Sequence, residues 1–543
     1  MLADPRRVLR TYASHVTEAR RARSIPTPAA LAAGVASVVL GAGLGELAAG
    51  LVAASASPFA AIGGALIDLA PSWAKDAAIS LFGTADKIAL LVGIAIVALV
   101  LAGLAGWLEA RFPPWGRAVV VAFGVAGVIA AMTRADAGAL SWVPSAIAGV
   151  VAALALWWLI RMLRPAAASD SPAPAPREPA ELSEPRDPGR RRFFAWAGAA
   201  AGVGILAAIG GGLQRAGSQA AATARSLFRL PAPAVTAAAI PAGAELDILG
   251  LAPLVTPNRY FYRIDTALIV PQVDPATWAL RIHGLVDKEV VLTWDELIAL
   301  PLEESWTTLA CVSNPVGGDL IGNAKWLGYP IRLLLERAAP RADADMVLSR
   351  SVDGFTASTP LEALQDENRS AILAIGMNDE PLPVEHGFPV RMVVPGLYGY
   401  VSATKWVVDL EVTRFDRATA YWTDRGWSPK GPIKLESRID VPRRNQGLSP
   451  GDTMIAGVAW QQHVGVSKVE VQIDGGEWRT ATLAAAISDD TWVQWSIPWT
   501  AEKGQHTIRC RATNALGETQ TEVDAWPVPD GATGWQQLNI TVA

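Results

Sequence analysis

Between residues 28 and 213 the chain passes repeatedly through apolar stretches. Each is close to the about 20 residues that carry a helix across ~30 Å of hydrocarbon. Four lie at 28–54, 88–108, 117–132 and 141–160, and a fifth at 194–213 follows a polar break. In a bilayer each such stretch can satisfy its backbone only as a helix, so residues 1–163 read as a transmembrane domain of about four helices. Residues 55–71 are also apolar but contain Pro58, Asp68 and Pro71, and read as a re-entrant or interfacial segment. Arginines orient the bundle. Residues 1–25 hold six arginines against two acids, and residues 161–192 hold seven. The N-terminus, the loop with Arg111 and Arg117, and 161–192 are placed in the cytoplasm, and the loop near Arg134 outside. The fifth helix, 193–214, then carries the rest of the chain to the extracytoplasmic side of a multi-pass protein.

The polar break, 164–192, is rich in Pro, Ala, Glu and Arg, cannot bury enough apolar surface to fold, and reads as a disordered cytoplasmic linker. It ends in Arg190-Arg191-Arg192-Phe193-Phe194. This resembles a twin-arginine export signal placed internally, and three positive-inside arginines explain it equally. Charge also divides the chain. Residues 1–230 carry 21 Lys+Arg against 13 Asp+Glu and residues 231–543 carry 25 against 38, giving +8 and −13 and together −5. The acidic part is unsuited to nucleic acid, which needs the opposite sign. None of the histidines, His15, His283, His386, His463 and His506, falls in a span. No haem is therefore expected, and the helices read as an anchor in membrane lipid. The two cysteines, Cys311 and Cys510, lack the pairing of a zinc site; an oxidising compartment would permit a disulfide between them, but two lone cysteines read rather as separate buried thiols.

After a linker at 215–250, short alternating segments broken by Gly, Pro and Asp begin. Trp278–Ile282, Val290–Thr293 and Val390–Val394 read as strands, and Trp294–Leu300 and Ile331–Ala338 as amphipathic helices. This makes 251–428 an α+β domain. Residues 429–543 show strands at Ser467–Ile473, Thr491–Ile497, His506–Thr513 and Gln536–Val542, with a hairpin turn at Asp474-Gly475-Gly476. Their spacing suggests an all-β, immunoglobulin-like sandwich, with Cys510 in its core.

Cys311 ends an apolar, β-prone run, Thr307-Thr308-Leu309-Ala310-Cys311, and opens a loop rich in Asn, Pro and Gly. That placement suits a thiolate ligand or a nucleophile, and the latter would need His283 or His386 nearby. A second cluster runs His386-Gly387-Phe388-Pro389-Val390-Arg391 through Val394-Pro395-Gly396-Leu397-Tyr398-Gly399 to Lys405-Trp406. Its glycines would let backbone approach a bound phosphate, and its Arg could hold one bidentately.

Together these stretches resemble the molybdopterin domain of the sulfite oxidases and the eukaryotic nitrate reductases, over about 250–543. The strongest run is Met377-Asn378-Asp379-Glu380-Pro381-Leu382-Pro383 into His386–Arg391 and Val394-Pro395-Gly396. Asn258-Arg259-Tyr260-Phe261-Tyr262-Arg263 resembles the family's opening cofactor-binding segment, and 429–543 its C-terminal sandwich, often a dimerisation domain. The resemblance implies a molybdenum–molybdopterin cofactor with Cys311 as the protein thiolate on the metal. It implies that Tyr262, Arg263, His386, Arg391 and Lys405 hold the pterin and its phosphate, with Asp353 a further contact. It also implies oxygen-atom transfer on a small molecule, with electrons passed singly.

The departures from the family bear on the substrate. Animal members carry a Tyr shortly before a Gly-aromatic-Ser-Pro run. Here Gly426-Trp427-Ser428-Pro429 follows Trp422-Thr423-Asp424-Arg425, which puts Asp424 or Arg425 near the tyrosine's place. The family's substrate loop usually presents an Arg, and here it reads Gln461-Gln462-His463-Val464-Gly465, with His463 either facing the site or in a surface turn. The loop after Cys311 lacks the arginines seen in sulfite oxidases, so a dianion is attracted less strongly. No cytochrome b5 segment is read, so electrons go to a separate partner such as a cytochrome. Sulfite is the first candidate substrate, a sulfoxide such as methionine sulfoxide the second, and a non-catalytic membrane-tethered binding module the third reading.

Overall fold

The computed structural model describes residues 25–52, 56–70, 86–134, 137–164, 188–217, 220–443 and 446–543. The N-terminal arginine run up to 24 and the linker segment 165–187 lie outside the described residues. The chain divides into two compact units, Met1–Ser218 and Gln219–Ala543.

The first unit consists of helices α1 (Thr27–Val52), α2 (Pro58–Leu69), α3 (Asp86–Arg111), α4 (Trp115–Met132), α5 (Val143–Leu163) and α6 (Pro188–Gly217). All but α2 are long and apolar enough to cross a membrane. They match the five predicted spans. α1 packs against α3, α5 and α6. It does so through small residues. A Cβ on Gly41 would meet Ala152 Cβ at 2.7 Å, and one on Gly43 would meet Gly204 Cα at 2.7 Å. Small residues let helices approach closely where water supplies no hydrophobic drive. Val97, Val100, Phe123, Ile129, Leu154 and Leu206 face outward. α2 has twelve residues, too few to span ~30 Å at about 1.5 Å per residue. Its N-terminus is held by Glu46, which accepts from Ser57 Oγ at 2.7 Å and from Phe59 N at 3.2 Å.

In the second unit, strands β1 (Ala279–Gly284) to β10 (Val407–Thr413) build two sheets. One has the order β2 (Val290–Thr293), β1, β10, β5 (Met346–Ser351), β6 (Thr356–Pro360), with β1 and β10 parallel. The other runs β3 (Glu303–Ala310), β4 (Ile321–Pro330), β7 (Ile372–Met377), β8 (Glu380–Pro381), and β9 (Arg391–Val393) also pairs with β7. Trp294–Ile298 and Ile331–Ala338 are helical, close to their predicted spans. The first is closed by a capping box, Thr293 with Glu296.

Strands β11 (Glu436–Val441) to β18 (Gln537–Val542) form two four-stranded sheets over one shared apolar core, from Ile455 and Trp495 on one sheet to Val469, Cys510 and Ile540 on the other. Cys510 is fully buried and both cysteines are free thiols. At the predicted hairpin, Asp474 and Gly475 take φ of 52° and 69°, and Gly476 N donates to Ile473 O at 2.9 Å, the backbone of a type I′ turn.

The stretch read as a linker, 215–250, is different in the structure. Ala220–Leu227 is a helix whose Arg225 Nε donates to Pro381 O and Leu382 O at 3.1 and 2.8 Å. Val235 then bridges Glu303 at the edge of β3. Its Pro and Ala content looks like that of a free linker, but Ala221, Phe228 and Leu230 pack into the domain and hold it down.

Candidate active site

β3 delivers Cys311 to the head of its loop, where it is 8% exposed and its backbone N donates to Leu320 O at 2.9 Å. Burial pushes the thiol up, while the Ser313 N–H and hydroxyl, bonded to it, pull the other way. Such a sulfur carries charge only if a cation is added beside it. A Cβ on Gly399 would lie 3.8 Å from both Ala310 O and the Tyr262 hydroxyl, so the loop 394–399, the residue before Cys311 and Tyr262 meet at one place. Burial, reinforced by Cys311, holds the Tyr262 hydroxyl far above its ordinary range, so it stays neutral.

Beside this point lie the basic residues singled out from the sequence. A backbone bridge sets Arg391 against Lys405. A Cβ on Gly387, at φ 115°, would meet Arg391 Cβ at 2.9 Å and Lys405 Cβ at 3.2 Å. That glycine therefore lets two cationic residues close up, rather than opening backbone to a phosphate. Lys405 Nζ donates to Asp265 Oδ2 at 2.7 Å and Glu385 O at 3.1 Å, and Arg263 Nε shares the same carboxylate at 2.9 Å. Arg391 has no such partner among the described residues. Its guanidinium is buried, reaches only the carbonyls of Met392, His386 and Ala403 at 3.2–3.4 Å, and lies over Trp326. Burial lowers its pKa to about 10.

His386 was read as part of a cationic cluster, and here the structure corrects the sequence. It is buried beside Arg391, Lys405 and Arg263, and burial followed by these charges takes it down to about 3. It is a neutral imidazole, with Nε2 donating to Asn258 O at 3.2 Å. Asn258 in turn accepts from Asn378 Nδ2 at 2.8 Å and donates to Met377 O, which ties the opening segment to the 377–391 run.

Asp353 lies in the turn after β5, where its carboxylate accepts from Phe355 N at 3.3 Å and Val352 N donates to Trp406 O. It neighbours Lys405 through that strand, with no bond to the cluster among the described residues. Asp424 is exposed and accepts from Thr419 Oγ1 at 2.5 Å, so no contact brings it to Cys311. His463 stands at φ 68° against Gly396, where an added Cβ would meet His463 Cβ at 2.8 Å. Its ring lies 3.3 Å from Asp490 and 3.4 Å from Asp366. Asp265, Arg369 and Tyr398 were not picked out from the sequence. Arg369 bonds Pro395 O and faces the same Gly396. Only Asp265, two residues after Arg263, had a local signal, an acid beside a named cation.

Lys405 gives a prediction of definite sign. Burial holds it down to about 8 against an ordinary 10.5, with Asp265 opposing. Between those pH values the unfolded chain binds more protons than the folded one, so stability rises with pH in that window. We expect cofactor-free protein to gain up to about 3 kcal/mol there, at about 1.4 kcal/mol per pH unit, and Lys405→Met to flatten the slope. Denaturant unfolding from pH 7 to 10.5, followed by tryptophan fluorescence, measures it. Binding of a phosphate-bearing ligand should weaken over the same range.

The cluster offers a buried thiol for a soft metal, a buried guanidinium short of an anion, and two further cations on one carboxylate. These donors fit a metal carried by a phosphate-bearing organic ligand. Comparison with known proteins agrees. Residues 267–422 match the oxidoreductase molybdopterin binding domain family. Mouse mitochondrial sulfite oxidase is 30% identical over 339 residues, covering 53% of this chain and 62% of that protein. The chain likewise spans 62% of the macaque and rat sulfite oxidases. The uncharacterized oxidoreductase YuiH of Bacillus subtilis is 32% identical over 158 residues, covering 29% of this chain and 76% of that protein. The sulfane dehydrogenase SoxCD from Paracoccus pantotrophus aligns with a TM-score of 0.47 at 22% identity, over 53% of this chain and 84% of that one. On the molybdopterin-binding match, the sulfite oxidase relatives and YuiH, the chain belongs to the sulfite oxidase family of molybdopterin-binding oxidoreductases.

Proposed function

We propose that this protein is a membrane-anchored oxidoreductase that transfers an oxygen atom at molybdenum held by Cys311, with sulfite the first substrate to test. The observation that carries this reading is the buried Cys311 thiol set beside Tyr262 and Arg391, which pairs with no carboxylate among the described residues. When bound, the molybdenum–molybdopterin group supplies the two-electron redox chemistry. Arg391, Lys405 and Arg263 would hold its phosphate, neutral His386, its Nε2–H given to Asn258 O, would accept one hydrogen bond at Nδ1, and the Asp265 carboxylate keeps two of the cations in place. Tyr262 stays neutral and offers a hydroxyl beside the thiolate. Electrons leave singly to a separate partner of the cytochrome type. The sandwich, immunoglobulin-like in this reading, is a candidate homodimer surface. The five apolar helices anchor the chain in the cytoplasmic membrane with the second unit outside. Arg191 and Arg192, exposed in the first turn of α6, serve either as a twin-arginine signal or as positive-inside anchors.

The test is sulfite-dependent reduction of ferricyanide by the purified, molybdenum-loaded full chain. Turnover is expected. Its absence with molybdenum confirmed removes sulfite. One observation favours a second reading in that event. His463 is flanked by Asp366 and Asp490, so the loop that would draw in a dianion is balanced by two carboxylates. A neutral sulfoxide suits such a field better, and methionine sulfoxide with a reduced viologen is the next assay.

A further inference from the structure

Glu436 is a carboxyl that the site as described does not use. It opens β11, is 3% exposed, and its Oε2 has no hydrogen-bond partner among the described residues. Lys434, two residues before it, is turned to Asp530 at 2.8 Å instead. Strand alternation gives its direction. Ser437 and Ile439 face the sandwich core, where Ser437 Oγ bonds Cys510 Sγ and Gln520 Oε1 at 3.3 and 2.8 Å. Glu436, Arg438 and Asp440 therefore project the other way. Arg438 Nη1 reaches Gly318 O at 2.9 Å, in the loop that begins at Cys311.

The segment leading to Glu436 is laced to the loop 394–399. Tyr398 N donates to Gly431 O at 2.7 Å, Ile433 N to Gly396 O at 3.0 Å, and Lys434 N to Tyr398 Oη at 3.4 Å. The buried Tyr398 hydroxyl lies within electrostatic range of both Cys311 and Glu436. A Cβ on Gly531 would meet it at 2.7 Å, and Lys434 Nζ bonds Gly531 O and the exposed Asp530 carboxylate. Cys311 and Glu436 thus both act on the buried Tyr398 hydroxyl, and Lys434, whose N–H touches that hydroxyl, reaches the exposed Asp530.

The charged and titratable groups around Glu436 are Lys434, Tyr398, Asp530, Cys510 behind it, and Arg438 and Asp440 further along its strand. Burial outweighs the pull of Lys434 and takes Glu436 up to about 8. Tyr398 is held far above its ordinary range by burial and by Glu436, so its hydroxyl can donate and accept. A proton carrier works best with its pKa near the operating pH.

We propose that Glu436 is the proton-relay residue of this oxidoreductase, taking protons from the site through the Tyr398 hydroxyl and releasing them at the Lys434–Asp530 pair. This rests on the oxygen-transfer reading above. Sulfite and water give sulfate, two electrons and two protons. The sulfur–oxygen bond forms with oxygen from water, whose two O–H bonds break. The electrons pass one at a time to an external one-electron acceptor such as ferricyanide. In this proposal the protons leave a buried site by way of Tyr398 and Glu436.

The test uses the molybdenum-loaded full chain with Glu436→Gln, Glu436→Asp and Tyr398→Phe. In the infrared difference between oxidised and dithionite-reduced protein, the wild type should show a protonated-carboxyl band that Glu436→Gln lacks. Glu436→Gln and Tyr398→Phe should keep molybdenum and the KM for sulfite while kcat falls about 100-fold, as for loss of an acid–base group. Glu436→Asp should recover part of it, and the basic limb of the kcat pH profile should move. Wild-type kcat with an unchanged difference spectrum in Glu436→Gln overturns the proposal, and so does loss of molybdenum from both Glu436 variants. If the wild type fails to oxidise sulfite but the Glu436 band still responds to reduction, the substrate reading falls and the relay stands.

Discussion

Cys311→Ser is expected to abolish turnover while the protein keeps its fold. Serine is nearly isosteric, and the backbone bonds that shape the loop, Cys311 N to Leu320 O and Asn314 N to Cys311 O, do not depend on the side chain. What changes is the donor. A thiolate is soft and can be held as an anion by a metal, whereas the serine hydroxyl remains protonated near neutral pH and is a hard ligand. Groups that only orient a metal ligand cost roughly 10- to 100-fold when removed. Loss of the ligand itself should exceed that. Ferricyanide-linked turnover, molybdenum content and circular dichroism of wild type and variant give the answer. A variant that turns over at the wild-type rate would remove Cys311 from the chemistry.

Arg391→Met should act in opposite directions with and without the cofactor. The Arg391 guanidinium is buried, pairs with no carboxylate among the described residues, and holds only three carbonyls at 3.2–3.4 Å. An uncompensated buried charge costs several kcal/mol, and replacing buried ionic groups by apolar ones of similar volume is often neutral or stabilising by about 1–4 kcal/mol. Cofactor-free Arg391→Met should therefore be as stable as wild type or more so. The same variant should purify with little molybdopterin, because the anion that Arg391 awaits has lost its bidentate partner. Thermal unfolding of the cofactor-free protein and pterin content after expression test the two halves separately. A large destabilisation of the cofactor-free form would show that Arg391 serves the fold instead.

The candidate residues that could be named from the sequence sit in short continuous runs. Cys311 was marked by its place between a β-prone run and a Gly-rich loop, and 377–405 by its glycines and cations. The five spans were legible from length and hydropathy alone. What could not be read was which distant pieces meet. Asp265 joins Arg263 to Lys405 across 140 residues. Gly387 serves the approach of Arg391 to Lys405, which only the bridge between them reveals. His386 was read by type as a cation, but its charge is decided by burial and by three neighbouring cations. The 215–250 stretch looked free because composition does not show that a few apolar side chains are docked.

The seam between β3 and the last third of the chain has a consequence for how the enzyme is made. Thr308, three residues before Cys311, donates from Oγ1 to Asn323 Oδ1 on the paired strand and accepts there from Trp492 N, 184 residues later, while its carbonyl accepts from Gln462. Trp492 Nε1 in turn holds Leu254 O, 238 residues back. The strand that carries the thiol is therefore fully bonded only after residue 492 has been made. Contacts of such long range form late and slowly. Loading of the cofactor is then a closing event in biogenesis, and a chain truncated within the sandwich should be delivered with an unfinished pocket.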